Sequence, residues 1–220
     1  MEPTELTERV ASALSGRDPG HPLRVGIDGV CGAGKSTFAR VLADVLTRGP
    51  RPVIRIDSDG FHNVRAVRYR QGRESAGGYY EDAYDFDSLR RLTLEPLGPG
   101  GSGRYAHHVH DLHTDEVDPR WADAAPDAIV IFDATFLQRD DLRELWDEVI
   151  YLDVAREQAV KRGVKRDSVL LGGAEAARAA YEVRYMAACD IYRAEQAPRE
   201  RATIVVDNTD VARPVLRTSL

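Results

Sequence analysis

The sequence predicts an α/β fold on three observations: a glycine-rich stretch with a phosphate-binding pattern, short apolar runs that read as strands, and amphipathic segments between them. Five runs qualify as strands: Leu23–Asp28, Pro52–Asp57, Ala128–Asp133, Val149–Asp153 and Thr203–Asp207. Each ends in an aspartate. A chain of 220 residues buries one substantial core, and residues 1–220 suit a single α/β domain with an inserted lid better than two independent domains.

Gly29 to Thr37 reads Gly-Val-Cys-Gly-Ala-Gly-Lys-Ser-Thr and matches GxxxxGK[ST] at every fixed position. The pattern predicts a nucleotide-binding loop. Gly29, Gly32 and Gly34 let the backbone amides turn inward around phosphate oxygens, with Ala33 the small residue between two of them. Lys35 supplies a point charge, Ser36 a hydroxyl for Mg²⁺ with Thr37 beside it, and Lys35 opens a helix whose positive end faces the same anions. The flanks agree with this reading. A buried strand precedes the loop, and Phe38, Val41, Leu42, Val45 and Leu46 follow at helical spacing until Gly49-Pro50.

Composition narrows the function classes. A formal net charge of −6 argues against a general nucleic-acid or anionic-membrane binder. No apolar run reaches the roughly 18 residues of a membrane span and the N-terminus does not read as a signal peptide, so a cytoplasmic protein is expected. Cys31 and Cys189 give neither a disulfide framework nor a C-x-x-C spacing, and reduced thiols are the expectation. The loop amides and Lys35 would lower the Cys31 pKa, although a small residue tolerated in the loop is the simpler reading.

Taken in order, Glu5–Leu14 reads as a packing helix through Leu6, Val10 and Leu14. The second strand runs into Ser58-Asp59-Gly60-Phe61-His62, at the carboxyl end where open parallel sheets bind ligands. Asp57 and Asp59 are therefore carboxylates that either accept a hydroxyl proton or cap the turn. About residues 62–118 form a substrate-facing insertion. Within it Arg65, Arg68, Arg70 and Arg73 either grip an anionic substrate or make a solvated helix face. Asp87–Leu94 reads as a short helix. The run Tyr105–His113 reads as a hairpin strand, and its four histidines lack the spacing of a zinc site.

Asp133 ends the third strand in the Walker B arrangement and is expected to support Mg²⁺ with Ser36. Leu142, Leu145 and Trp146 predict a connecting helix. Residues of about 156–175 are lid-like, with Arg156, Lys161, Arg162, Lys165 and Arg166 ahead of Gly172-Gly173. Ala177, Tyr181, Tyr185, Ala188 and Tyr192 form one face of a long helix and read as core packing.

The loop, the Asp59-Gly60-Phe61-His62 turn, the block Tyr79–Asp87 and the strand ending at Asp133 together resemble the uridine kinase and phosphoribulokinase family, over about Leu23 to Thr209. The resemblance implies a doubly wound, parallel five-stranded P-loop NTPase-type sheet with helices on both faces, a lid and a small substrate-binding hairpin. By position it assigns Asp59 to the acceptor hydroxyl, Asp82 to ribose hydroxyls, and Tyr105 with His107 or His108 to base recognition. Phe61 and His62 fall in the same substrate turn, and Arg162 and Arg166 fall where family members bind phosphates. The sequence departs from the family pattern at Gly60-Phe61-His62, at Ala134-Thr135-Phe136 and in the His-rich hairpin.

The expected function is ATP- and Mg²⁺-dependent phosphoryl transfer to a small-molecule hydroxyl, with the 5′-hydroxyl of a pyrimidine nucleoside the leading acceptor. Lys35 and Asp59 are the expected catalytic residues. The alternatives are a kinase of another alcohol, pantothenate-like or a sugar phosphate, and a catalytically silent ATP-binding regulatory protein. No nucleic acid or membrane partner is expected, and a homo-oligomer is compatible with the sequence.

Overall fold

The computed structural model describes residues 2–218. Helix α1 (Pro3–Ser15) precedes β1 (Leu23–Gly29), α2 (Lys35–Leu46) and β2 (Val53–Asp57). The insertion carries α3 (Arg65–Arg68), α4 (Ala76–Asp82), α5 (Phe86–Leu89) and the hairpin β3 (Arg104–His110) and β4 (Val117–Asp123). Then come β5 (Ile129–Asp133), β6 (Glu148–Asp153), α6 (Arg156–Asp167), α7 (Ala174–Ala180), α8 (Ala187–Gln196), α9 (Pro198–Arg201), β7 (Ile204–Asp207) and β8 (Val215–Leu216).

The main sheet has the order β2-β5-β1-β6-β7-β8. Its first five strands are parallel, as the five apolar runs predict, and a two-residue antiparallel strand, β8, is added at the β7 edge. Every residue of β1 and β5 is buried; β5 is apolar up to Asp133, and in β1 the buried Arg24 is paired with Asp147 and Asp28 precedes the last residue. The chain leaves β1 for α2 and returns as β2 on one side, while β6 lies on the other side of β1. That divergence opens a crevice at the carboxyl ends of β1 and β5, the switch point at which ligands bind in doubly wound sheets.

Helix α1 buries Leu6, Val10 and Leu14 as their spacing predicts, and it packs on α2. Three local expectations change. The segment Asp87–Leu94 is not one α-helix: α5 passes into a π-helical stretch, Arg90–Leu94. The expected connecting helix around Leu142 is only a 3-10 turn, Arg143–Leu145, because Leu142 and Trp146 already bury themselves on either side of it. The long helix is interrupted by a π-helical stretch, Tyr181–Met186, between α7 and α8. Ala177, Tyr181, Ala188 and Tyr192 are nonetheless all buried, as the sequence reading expects, and Tyr185 is half-buried.

Candidate active site

Gly34 adopts φ 95° and caps α2 without any side-chain cap bond, leaving the first amides of the helix directed at the crevice. Gly32 adopts φ 79°, and a Cβ there would lie 2.2 Å from the Ala159 carbonyl oxygen, so the loop closes against α6 only with glycine. Lys35 Nζ donates to the Gly29 and Val30 carbonyls at 2.9 and 3.0 Å and to Thr135 Oγ1 at 3.1 Å. The Asn208 side-chain amide holds the loop by donating to the Ala33 carbonyl at 2.9 Å.

Ser36 Oγ donates to Asp133 Oδ2 at 2.6 Å. Burial raises the Asp133 pKa above the ordinary value, opposed by the Ser36 bond and the Lys35 charge. A hydroxyl and a carboxylate in contact, at the mouth of a glycine cradle, form an oxygen donor set that fits Mg²⁺ beside a nucleotide's phosphates. Gly29, Ala33 and Thr37 complete the cradle: Gly29 ends β1, Ala33 is buried, and Thr37 lines the crevice.

Asp57 and Asp59 both line the cleft and differ in what holds them. Asp57 Oδ1 accepts the Asp59 amide at 2.9 Å and caps the turn Ser58–Phe61. Asp59 lines the cleft, and among the described residues no side chain pairs with its carboxylate. Its pKa is raised, first by partial burial and then by repulsion from Asp57 and Asp133, with Arg166 opposing. His62 Nδ1 lies 3.4 Å from the Asp59 carbonyl, its ring 4.5 Å from the Tyr84 ring, and burial pushes its pKa down to about 4.

The cleft holding these groups has a volume of about 740 Å³. It brings together Lys35, Ser36, Thr37, Asp59, His62, Asp133 and Arg166 from the expected residues. Others lie elsewhere. Phe61 is fully buried with its ring edge-on to Phe132, 5.5 Å between centres, and belongs to the core. Asp82 is buried and gripped through both oxygens by Arg70, with Gln71 also donating to it, so it is not free for ribose hydroxyls. Tyr105 is buried under the hairpin and His107 is exposed. His108 packs against Gly60, where a Cβ would come within 2.6 Å of its Nδ1. None of these three lines the cleft. The alternation of a strand turns Tyr105 and His107 to one side, but a break in register between Ala106 and His108 removes the simple period from the hairpin.

Arg162 does not reach for the phosphate site. Its guanidinium donates to the Asn208 and Thr209 carbonyls at 3.0 and 2.6 Å and walls a second, mainly apolar cavity of about 390 Å³ on the far side of the loop. Arg166 touches both cavities and pairs with Asp167 at 2.7 Å.

Several site residues escape the sequence reading. Thr135, a departure from the family pattern, holds Lys35. Tyr181 donates to Asp167 Oδ2 at 2.7 Å and is buried in the core, as the stripe predicts, while its ring also borders the cleft beside half-buried Tyr185; Tyr192, equally deep, is bonded to buried Asp28. Arg68 and Arg184 also line the cleft. Cys31 Sγ lies 3.4 Å from Tyr79 Oη. The neighbouring Cys189 thiol, with the Lys35 charge, holds the Cys31 pKa below its ordinary value against the effect of burial.

Fold and site together define a P-loop phosphate-binding protein with a free carboxylate opposite the loop. Residues 24–210 match the model of the Phosphoribulokinase / Uridine kinase family, and the chain belongs to that family. It is 32% identical over 162 residues to a pantothenate kinase of Bradyrhizobium sp. (strain ORS 278), covering 66% of this chain and 49% of the relative. It is also 31% identical over 146 residues to a phosphoribulokinase of Synechocystis sp., covering 65% of this chain and 41% of that one. The chain thus spans about half the length, or less, of the curated relatives it matches. Among solved structures, one described as a possible uridine kinase from Bacillus stearothermophilus shares the fold with a TM-score of 0.71 at 23% identity, covering 91% of this chain and 97% of that one. Among the described residues no helix is long and apolar enough to cross a membrane.

Proposed function

We propose that this chain is an ATP- and Mg²⁺-dependent phosphotransferase acting on a hydroxyl of a small molecule in the cytoplasm. The observation that carries this reading is the unpaired Asp59 carboxylate in the same cleft as Lys35, Ser36 and Asp133. ATP supplies the phosphoryl group, and Mg²⁺ held by Ser36 and Asp133 would supply positive charge beside its phosphates. The α2 amides and Lys35 hold the phosphates, Lys35 exchanging its loop carbonyls for them. Ser36 and Asp133 hold the metal. The apolar cavity walled by Arg162 suits the nucleotide's base.

Asp59 accepts the proton of the acceptor hydroxyl at its carboxylate and aims the oxygen along the line of attack. Its raised pKa makes it a better proton acceptor than an ordinary carboxylate. Arg166 stands where charge develops as the bond to the leaving oxygen breaks. A pyrimidine nucleoside as the acceptor is supported by the family resemblance; the hairpin residues Tyr105, His107 and His108 add no support to it.

The test is ADP release with ATP and Mg²⁺ against a panel of nucleosides, pantothenate and sugar phosphates, with Lys35→Ala as control. Acceptor-dependent release that falls by about 100-fold or more in Lys35→Ala supports the proposal. Near-normal release in the variant overturns it, and ATP binding without acceptor-dependent release favours the silent regulatory reading.

A further inference from the structure

Four cations line the cleft, and they fall into two groups. Lys35 is held by loop carbonyls and Thr135, and Arg166 by Asp167 and Tyr181. Arg68 and Arg184 are not matched in this way. The closest carboxylate oxygen to Arg68 is Asp115 Oδ1 at 3.9 Å, and that oxygen already accepts the Arg65 amide at 2.8 Å and lies 3.1 Å from His110 Nε2. Among the described residues the Arg184 guanidinium has no hydrogen bond or ion pair. Arg68 is only 8% exposed, and the Nε atoms of both arginines are buried without a partner.

The two guanidinium groups share a wall. Arg68 lies 5.2 Å and Arg184 5.3 Å from the centre of the Tyr69 ring, and Arg184 is also 5.0 Å from the Tyr79 ring and 5.3 Å from the Tyr185 ring. Aromatic faces hold a cation in place but leave its N–H groups unused. Arg184 sits in the π-helical stretch Tyr181–Met186, a local geometry often found where a side chain is directed into a site. Arg68 is close enough to His62 for its charge to oppose protonation there, which ties it to the turn that carries Asp59.

Taking a charge out of water is costly unless an opposite charge or a full set of acceptors meets it. Placing two incompletely paired guanidinium groups in a tyrosine-walled cleft that also holds an unpaired carboxylate divides the site by charge. We propose that Arg68 and Arg184 form an anion subsite, so that the acceptor is an alcohol bearing a carboxylate or a phosphate. This rests on the phosphotransferase reading above and gives its acceptor a class. A neutral nucleoside would cover these guanidinium groups without neutralising them.

The experiment has a binding arm and a turnover arm. Calorimetry on the protein saturated with Mg²⁺ and a non-hydrolysable ATP analogue compares pantothenate and glycerate, as carboxylates, and ribulose 5-phosphate and fructose 6-phosphate, as phosphates, with neutral pantothenol, glycerol and uridine. The expected result is binding of at least one anionic alcohol, at least about tenfold tighter than its neutral counterpart and weakened about tenfold or more in Arg184→Gln and in Arg68→Gln. Affinity for the ATP analogue in each variant reports that the fold survives. Anion binding that ignores both substitutions, neutral alcohols bound as well as anionic ones, or no anionic alcohol bound at all overturns the subsite.

The turnover arm separates the two proposals. Arginine-dependent anion binding without ADP release leaves the subsite standing and removes the phosphotransferase reading. ADP release driven by uridine, unchanged in both variants, keeps phosphoryl transfer and removes the anion subsite.

Discussion

Replacing Asp59 with Asn keeps the shape of the side chain and removes both its charge and its capacity to accept a proton. The capping bond of the turn is made by Asp57 to the Asp59 backbone amide at 2.9 Å, so the substitution leaves the local backbone in place. Loss of a positioned base lowers phosphoryl transfer by about 10²–10⁴-fold, or about 3–5 kcal/mol of barrier. Folding should move in the opposite direction. The folded-state pKa of Asp59 is raised above 3.8 by burial and by repulsion from Asp57 and Asp133, so the ionised group opposes folding at any pH well above that value. Asp59→Asn should therefore melt higher than the parent at pH 7, with the difference closing as pH falls below 3.8 and both states become protonated.

The assay pairs acceptor-dependent ADP release with thermal melting across pH, using whichever acceptor the panel identifies. In the parent, kcat/KM should fall on the acid side as Asp59 takes up a proton, above the ordinary carboxylate range, and that limb should be missing from the residual activity of the variant. Intact ATP binding with transfer lost completes the expected pattern. If ATP·Mg²⁺ binding is lost along with transfer, Asp59 serves the metal or the fold, and the base would have to be Asp57. A variant that keeps full turnover refutes the assignment outright.

Three further outcomes follow from the geometry. Gly32→Val forces a branched side chain into φ 79° and toward the Ala159 carbonyl at 2.2 Å; the loop should lose its contact with α6, and ATP should no longer raise the melting temperature. Tyr192→Phe removes a hydroxyl that donates to buried Asp28 and accepts the Gln138 amide at 2.8 Å; urea unfolding should show a loss of about 1–3 kcal/mol with the ATP site intact. His62 has a folded-state pKa of about 4 against an ordinary 6.5, so it favours folding fully above 6.5 and that support drains away as pH falls toward 4. His62→Gln should flatten the stability profile across that window in melts taken at successive pH values.

The nucleotide half of the site was legible in the sequence because its chemistry is contiguous. Gly29 through Thr37 must present successive backbone amides to one anion, so spacing along the chain is spacing around the phosphates. The five strands were legible for a similar reason. Burial in the sheet demands largely apolar runs, interrupted at Arg24 of β1 and at Arg55 in the half-exposed β2, and Asp57 and Asp133 mark the carboxyl ends of β2 and β5. The sequence narrowed the carboxylates to Asp57 and Asp59, and the structure shows Asp57 capping the turn through the Asp59 amide.

The acceptor half was not legible, because it is assembled from segments far apart in the chain. Arg68 comes from a run of arginines in which Arg70 is committed to Asp82, and no periodicity distinguishes one from the other. Arg184 borders the cleft from a π-helical stretch between two buried tyrosines, Tyr181 and Tyr192, and the 3.6-residue spacing that placed those tyrosines in the core gave no sign of it. Tyr105 and Phe61 went the other way, from expected ligands to packing, since an aromatic ring reads the same in sequence whether it meets a substrate or Phe132. Local spacing determined the glycine loop and the helix that follows it; which cations in the cleft stay unpaired is a property of three-dimensional neighbours, and only the tertiary structure decided it.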